Sequence, residues 1–248
     1  MPDLSALLSL AQNIAENAFR IIEKDINKFR KIEEDLERDV KILADKKLES
    51  FIIKQLLEKS QYPVLSEEAG FLEGRDKNKD YRWIVDPLDG SFNFSHAIPI
   101  SCISVALRKG MEPLLGVVYD FNHHETFSGL VGEGAWLSKN PIMTSEITEK
   151  SKAVLCTGFP VSTDFSKKSL LDFIEAIREY KKIRLLGSAA LSLAYVACGR
   201  ADVYLENDIK IWDVAAGIAL VKAAGGKVQY RPTGKENIFI VRASNQYL

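Results

Sequence analysis

The segment "WIVDPLDGSFNF" (83–94) constrains the fold more than any other part of the chain. Its apolar start, 83–85, is typical of a buried strand, yet Asp86 and Asp89 follow at once with Pro87 between them. Charged groups at the edge of a core are unfavourable unless they are paired or coordinated. A turn built on Asp-Gly explains the second aspartate but not the first. The fold must therefore bring a compensating partner to the end of this strand.

Acidic residues stand at the ends of two further apolar elements. Glu67 and Glu68 follow "YPVLS", and Asp213 opens the apolar helix predicted for "WDVAAGIALVKAAGG" (212–226). No nearby run of Lys or Arg is spaced to neutralise all these acids. Clustered carboxylates suit a hard cation, and Mg²⁺ accepts a few carboxylates together with water and phosphate oxygens. The sequence therefore predicts a magnesium site.

The residues around Asp89 add features of a phosphate site. The carbonyl of Leu88 lies between the two aspartates and is predicted to be freed from the strand ladder as a further oxygen ligand. Gly90 permits a close approach, and "GSFNF" predicts the start of a helix whose backbone N–H groups can hold a phosphate. Two cations about 3.5–4 Å apart are the recurrent arrangement for phosphoryl transfer to water.

Hydrophobic periodicity predicts a layered, mixed α/β architecture. The charged stretch 27–39 is predicted to be a solvated helix face or a flexible loop. Helices are predicted over 4–23, 40–58, 166–182, 188–199 and 212–226. Strands are predicted within 62–68, 81–90, 100–120, 125–139, 152–160 and 201–206.

The composition of the chain limits the classes of binding partner that are expected for it. The 248 residues are 46% hydrophobic and carry a net charge of −1, so no nucleic-acid or membrane partner is expected. No apolar stretch reaches the length of a membrane span, and the N-terminus lacks the pattern of a signal peptide. Three widely spaced cysteines, Cys102, Cys156 and Cys198, predict reduced thiols and a cytoplasmic location.

Three of these segments together resemble a known family. "VLSEE", "WIVDPLDGSFNF" and "IWDVAAGIALVKAAGG" resemble the markers of the inositol monophosphatase family of magnesium-dependent, lithium-sensitive sugar and polyol phosphatases. The resemblance implies a five-layer αβαβα sandwich with the site between two halves, here roughly 1–140 and 141–248 of one catalytic domain. It also implies a homodimer and two or three Mg²⁺ ions per active site.

The resemblance assigns metal ligands to particular residues. Glu67, Asp86 and the Leu88 carbonyl are expected to hold the first ion. Asp86, Asp89 and Asp213 are expected to hold the second, so that Asp86 bridges the two ions. Glu68 is expected to support the site without binding metal.

The resemblance also implies catalytic roles. Ser91 and Glu67 are expected to orient the attacking water, and the N–H groups of Gly90 and Ser91 to bind the phosphate. Asp45 matches a family aspartate near the metals, although its usual Thr-Ala-Thr/Ala-Asp context reads Ile-Leu-Ala-Asp here.

The segment "GSAALSLAYVACGRADVYLE" (187–206) resembles the substrate side of the family's site. Gly187, Ser188 and Ala189 are therefore expected to line the substrate pocket with Asp213. Glu206 is expected to accept hydrogen bonds from substrate hydroxyls.

Glu206 and "TGFP" (157–160) favour inositol monophosphate as the substrate. Fructose-1,6-bisphosphatase and 3′(2′),5′-bisphosphate nucleotidase are alternatives with the same chemistry. A regulatory or RNA-associated partner protein that keeps the fold is an alternative of another class.

Overall fold

The computed structural model describes residues 2–36, 39–76, 80–161 and 163–248. Its elements form five layers in the order αβαβα, which confirms the predicted sandwich. Two outer helices cover an eight-stranded sheet, two inner helices separate that sheet from a five-stranded sheet, and one helix lies on the far face. None of the helices in the described ranges is long and apolar enough to cross a membrane.

The first outer layer consists of α1 (Leu4–Glu23) and α3 (Leu43–Lys59). Asp3 caps α1, because its Oδ1 accepts a hydrogen bond from the Ala6 N–H at 3.0 Å. The apolar face of α1 packs against the eight-stranded sheet together with α3, as the three- and four-residue spacing predicts.

The eight-stranded sheet has the order β10-β9-β8-β7-β6-β5-β3-β4 and is antiparallel except for the β3–β5 pair. Most of its central strands are buried on both faces, because helices cover both sides. Its strands are β3 Val64–Ser66, β4 Gly70–Leu72, β5 Tyr81–Asp89, β6 Cys102–Lys109, β7 Glu112–Asp120, β8 Glu125–Leu130, β9 Gly134–Leu137 and β10 Asn140–Ile142. The short helix α4 (Ser91–Ser95) follows β5 directly.

The five-stranded sheet has the order β12-β11-β13-β15-β14, with β11 parallel to both of its neighbours. Its strands are β11 Val154–Thr157, β12 Lys182–Leu185, β13 Val203–Lys210, β14 Lys227–Pro232 and β15 Ile238–Ser244. The inner helices α6 (Ala189–Ala197) and α7 (Ile211–Ala223) fill the space between the sheets, and nearly all their residues are buried. The far layer is α5 (Lys167–Ile177), none of whose residues is fully buried.

The prediction of a solvated helix face or a loop over 27–39 agrees with a short exposed helix at its start but is wrong where two strands follow. A short helix, α2 (Ile26–Phe29), is followed by the antiparallel strands β1 (Ile32–Leu36) and β2 (Asp39–Ile42). The helix predicted over 40–58 begins only at Leu43, because residues 40–42 belong to β2. Residues 37 and 38, which the prediction also covered, lie outside the described ranges.

The inner helix α7 packs unusually close to the first sheet at Gly116 of β7. A Cβ atom at this position would lie 2.3 Å from the carbonyl oxygen of Ala216 in α7. The absence of a side chain at Gly116 is therefore what permits the close approach of α7.

We expect Gly116→Ala to lower the free energy of unfolding by about 3 kcal/mol, because the new methyl group must push α7 away from the sheet. Gly132→Ala is the control, since its Cβ would meet nothing within 4 Å and only its φ of +92° is strained, at about 1 kcal/mol. Urea unfolding measures both variants. Equal losses would contradict the close packing of α7.

Candidate active site

A cavity of about 470 Å³ opens where β5 ends and where α4, α6 and α7 begin. All the predicted metal-binding and substrate-binding residues line it. These are Glu67, Asp86, Leu88, Asp89, Gly90, Ser91, Gly187, Ser188, Ala189, Glu206 and Asp213. Asp45, the remaining predicted residue, lies behind Ser91 and touches the site through it.

A β-bulge at the end of β5 positions the two aspartates of "DPLDG". In the pairing with β6, Asp86 lies opposite Ser104 and Asp89 opposite Cys102, so β5 has one extra residue in this interval. Pro87 cannot donate to the ladder, and the Leu88 N–H instead donates to Asp86 Oδ1 at 2.9 Å. The Leu88 carbonyl accepts from Ser91 Oγ at 2.8 Å, in agreement with its predicted release from the ladder.

The turn from β5 into α4 requires glycine at position 90. Gly90 has a φ of +87°, and a Cβ there would lie 2.7 Å from the Ile100 carbonyl. The turn places the Ser91 hydroxyl 3.1 Å from Asp45 Oδ1, while Asp45 Oδ2 accepts from the Ile42 N–H at 2.8 Å. Asp45 is thus fixed at the start of α3 and faces Ser91.

Asp89 connects the first sheet with the inner helix α6. Its Oδ2 accepts from Ser188 Oγ at 2.5 Å and from the Ala190 N–H at 2.7 Å. The Ser188 oxygen also accepts from the Leu191 N–H at 3.2 Å and so caps α6. Ser188 lines the cavity, but its hydroxyl is engaged by Asp89 and by the helix.

Asp213 and Glu206 come from the other half of the chain. Asp213 lies in the first turn of α7 with a partly exposed edge at the cavity, and the backbone of Lys210 donates to it. Glu206 is buried in β13, just before a bulge at which Asp208 adopts a φ of +56°. The bulge bends the strand next to Glu206, and both Glu206 and Asp208 line the cavity.

Burial raises the pKa of four carboxyl groups that line the cavity, and neighbouring negative charges raise it further at three of them, Asp86, Glu206 and Asp213. Burial raises the pKa of Asp89 to about 6. Burial, followed by the charges of Glu67 and Asp89, raises the pKa of Asp213 well above its usual value, and the pKa of Asp86 is raised in the same way. Burial and the charge of Asp89 raise the pKa of Glu206 to about 8.

These carboxylates have the chemistry of a hard-cation site. Four of them, with the Leu88 carbonyl, face one cavity from three separate segments, and a divalent cation would relieve the repulsion that raises their pKa values. In the described ranges, no three acidic, histidine or cysteine side chains are close enough in their present rotamers to hold one ion. Carboxylate oxygens with a backbone carbonyl are the kind of donor set that a hard cation such as Mg²⁺ prefers.

The sequence reasoning missed two residues around the site. Glu49 of α3 is buried and holds the segment that carries Glu67. Asn93 of α4 donates from Nδ2 to the carbonyls of Ile100 at 2.9 Å and Leu186 at 2.8 Å, and so ties α4 to the loop before α6. Glu49 stands four residues after Asp45 on the same face of α3, and this spacing could have indicated its role from the sequence. For Asn93, the sequence offered no indication beyond its place in "WIVDPLDGSFNF".

Glu68, the histidines and the cysteines are not among the residues that line the cavity. Glu68 pairs with Lys41 of β2 at 2.6 Å, so it links the site segment to the β1–β2 hairpin. His123 and His124 lie in the turn between β7 and β8, where the His123 ring contacts Asp120 at 2.8 Å. Cys102 and Cys156 are buried free thiols and Cys198 is partly buried.

Comparison with known proteins matches this fold and site to one family. The model of the inositol monophosphatase family matches residues 3–244. An inositol-1-monophosphatase of Mesorhizobium japonicum is 34% identical over 94% of this chain and 88% of its own, and a Nus factor SuhB of Pasteurella multocida is 36% identical over 91% and 85%. The solved inositol monophosphatase of Anabaena (Nostoc) superposes with a TM-score of 0.83 at 32% identity, covering 99% of this chain and 93% of its own.

The layered fold and the acidic cavity are those of a phosphatase enzyme. This chain belongs to the inositol monophosphatase family.

The raised carboxyl pKa values predict that stability falls with rising pH when divalent cations are chelated. From about pH 4.5, the usual value for Glu, up to about 8, the folded protein holds a proton on Glu206 that the unfolded chain releases. Asp89 acts in the same direction up to about pH 6. We expect the melting temperature in EDTA to be lower at pH 8 than at pH 5.5 by at least about 5 °C.

Glu206→Gln is the matched variant, because it keeps the shape and removes the titrating group. Its melting temperature should fall less between pH 6 and 8 than that of the wild type. Identical pH dependence in the two proteins would contradict the raised pKa of Glu206.

Proposed function

We propose that this chain is a Mg²⁺-dependent phosphomonoesterase that hydrolyses a small polyol or sugar phosphate, with inositol monophosphate as its preferred substrate. The observation that supports it best is the convergence of Glu67, Asp86, Asp89 and Asp213 on one cavity beside the turn at Gly90. This arrangement places several anionic oxygens next to the first turn of α4. Such a site binds a phosphate ester only with cations between the acids and the ester.

Glu67, Asp86 and the Leu88 carbonyl would hold the first ion, and Asp86, Asp89 and Asp213 would hold the second. Bound there, Mg²⁺ ions would neutralise phosphate charge and lower the pKa of a bound water. Asp89 would keep its bonds from Ser188 and Ala190 through Oδ2, which leaves Oδ1 for a metal. A third ion per site belongs to the same proposal, without assigned ligands.

Ser91, Asp45 and Glu67 would orient the attacking water. The Ser91 hydroxyl has one hydrogen and two acceptors in reach, Asp45 Oδ1 and the Leu88 carbonyl. With its hydrogen donated to Asp45, the Ser91 hydroxyl would accept a hydrogen bond from the attacking water through a lone pair. Ser91 and Glu67 together would then hold that water for attack on phosphorus.

The backbone N–H groups of Gly90 and Ser91 would bind the phosphate oxygens, since the turn leaves them at the cavity. Gly187, Ser188 and Ala189 would form the opposite wall through their backbone. Glu206, which lies across the cavity from β5, would accept hydrogen bonds from the hydroxyl groups of the substrate. A homodimer, which the family resemblance implies, and a cytoplasmic location, which the three unpaired cysteines favour, complete the proposal.

Phosphate release from a substrate panel tests the proposed function. We expect Mg²⁺-dependent turnover that is highest with inositol monophosphate and lower with fructose 1,6-bisphosphate and 3′-phosphoadenosine 5′-phosphate. Asp213→Asn, which removes one negative ligand and keeps its volume, should lower kcat by at least about 100-fold and shrink the Mg²⁺-induced rise in melting temperature. A higher kcat/KM on either bisphosphate would assign the chain to that alternative, and normal activity of Asp213→Asn would refute the metal assignment.

Glu206→Gln tests the choice of substrate. The variant leaves the acids around the proposed metals and the turn at Gly90 unchanged, but it weakens the acceptor for substrate hydroxyls. We expect kcat/KM for inositol monophosphate to fall about 10-fold or more, while p-nitrophenyl phosphate, which has no hydroxyl groups to bind, is hydrolysed at nearly the wild-type rate. Equal losses on both substrates would assign Glu206 a general role in the site.

A second candidate function follows from the relatives named Nus factor SuhB, one of which is 36% identical over 91% of this chain. This chain would then also act as a binding partner in a protein or RNA assembly. Co-purification of a tagged, catalytically inactive Asp213→Asn chain from its source cells, followed by identification of bound RNA and protein, tests that role.

A further inference from the structure

The buried carboxylate of Glu49 in α3 accepts hydrogen bonds from residues on both sides of Glu67, which is proposed to help orient the attacking water. Glu49 is 7% exposed, and its Oε1 accepts from Ser66 Oγ at 2.5 Å. The same oxygen accepts from the backbone N–H groups of Glu68 at 3.1 Å and Ala69 at 3.0 Å. The three donors therefore flank Glu67 on its two sides in the sequence.

These bonds fix the turn that carries Glu67 into the cavity. Ser66 is the last residue of β3 and is fully buried, so its side chain anchors the turn to the sheet. Beyond it the strand β3 ends, and the backbone N–H groups of Glu68 and Ala69 bond to Glu49. Without this acceptor the turn would lose two backbone bonds and leave the Ser66 hydroxyl in need of another partner.

Glu49 lies one turn after Asp45 on the same face of α3. Asp45 contacts the Ser91 hydroxyl, and Glu49 holds the segment of Glu67. One helix thus sets the positions of both residues that are proposed to hold the attacking water. Because α3 is packed on the sheet along its length, the two positions are fixed relative to one another.

We propose that Glu49 is a positioning residue of the active site, which aligns the carboxylate of Glu67 with the Ser91 hydroxyl. The inference rests on the proposed function, since it gives Glu67 a role in metal binding and water orientation. Its contribution comes from the reach and acceptor geometry of the side chain. The negative charge is not required, because all three partners are neutral donors.

Three substitutions separate geometry from charge. Glu49→Gln keeps the length and one carbonyl oxygen but is neutral. Glu49→Asp keeps the charge but is one methylene too short to reach the turn. Glu49→Ala removes the acceptor, and we expect activity to follow the order wild type and Gln, then Asp, then Ala.

Asp202 supplies a matched control for the loss of a buried carboxylate. It is 5% exposed and accepts from Ser145 Oγ at 2.5 Å and from the Val154 N–H at 2.6 Å, at the start of the five-stranded sheet and outside the cavity. Asp202→Ala removes the same kind of bonds from another part of the fold. It should lower stability without altering kcat, KM or Mg²⁺ affinity.

Steady-state kinetics, calorimetric Mg²⁺ titration and hydrogen exchange are measured on the full-length variants. We expect Glu49→Ala to lower kcat about 100-fold with KM within about threefold, since a misplacement of about 1 Å can cost a factor of 10². Mg²⁺ affinity should fall about 10-fold or more. The amides of Glu68 and Ala69 should exchange faster in the Ala and Asp variants and at the wild-type rate in Gln.

Two results would overturn the inference. One is faster exchange at 68 and 69 with unchanged kcat and Mg²⁺ affinity, which would make Glu49 a structural residue only. The other is a Gln variant as impaired as Ala, which would assign the effect to charge. If the Ala variant does not fold, the Asp and Gln variants decide the same question. If the proposed function itself is wrong, the wild-type chain will neither bind Mg²⁺ nor release phosphate. That result is distinct from the two that would overturn the role of Glu49.

Discussion

Repulsion among buried carboxylates is the constraint on which the rest of this structure depends. Two like charges about 4 Å apart repel by about 4 kcal/mol in the effective dielectric of a protein surface. In this cavity the charges of Glu67, Asp89 and Asp213 all raise the pKa of Asp86. Burial, followed by this repulsion, raises the pKa values of Asp86 and Asp213, and burial raises that of Asp89. The fold keeps these acids together only because extensive apolar packing elsewhere stabilises the elements that carry them.

The same acids also join the two sheets. Asp89 ends a strand of the first sheet, and its Oδ2 accepts from the beginning of α6, which packs against the second. Asn93 makes a second connection one turn later, to the carbonyl of Leu186 in the segment between β12 and α6. The cavity therefore has one wall from each half of the chain, and its width depends on these polar contacts. A substitution at Asp89 would disturb metal binding and the junction together, whereas Asp213→Asn changes the charge with less effect on the junction.

The candidate site was predictable from the sequence because most of its acidic residues stand in short local motifs. The aspartates after an apolar strand and Asp213 at a helix start are unusual where they stand, and the structure places all of them at one cavity. The helices α1 and α7 were predictable for a similar reason, since each shows a periodic or continuous apolar pattern over many residues.

Features that depend on contacts between distant segments were not predictable in this way. The β1–β2 hairpin was missed because its first strand is exposed and charged, so the strand has no alternation of buried and exposed residues to reveal it. The strands β14 and β15 pair with each other and, through β15, with β13, and no local signal fixed that register. The position of Glu49 one helical turn after Asp45 indicates a shared face, but only the turn after β3 makes Glu49 a buried acceptor.

The central claim is that the carboxylates of this cavity exist to bind divalent cations. The most direct test is a crystal structure of the chain grown with Mn²⁺ in place of Mg²⁺, with anomalous scattering used to locate the ions. The account predicts anomalous peaks inside the cavity, at about 2.1 Å from oxygens of Asp86 and of at least two of Glu67, Asp89 and Asp213. An ordered cavity with no anomalous peak at saturating Mn²⁺, or peaks only on the protein surface, would contradict it.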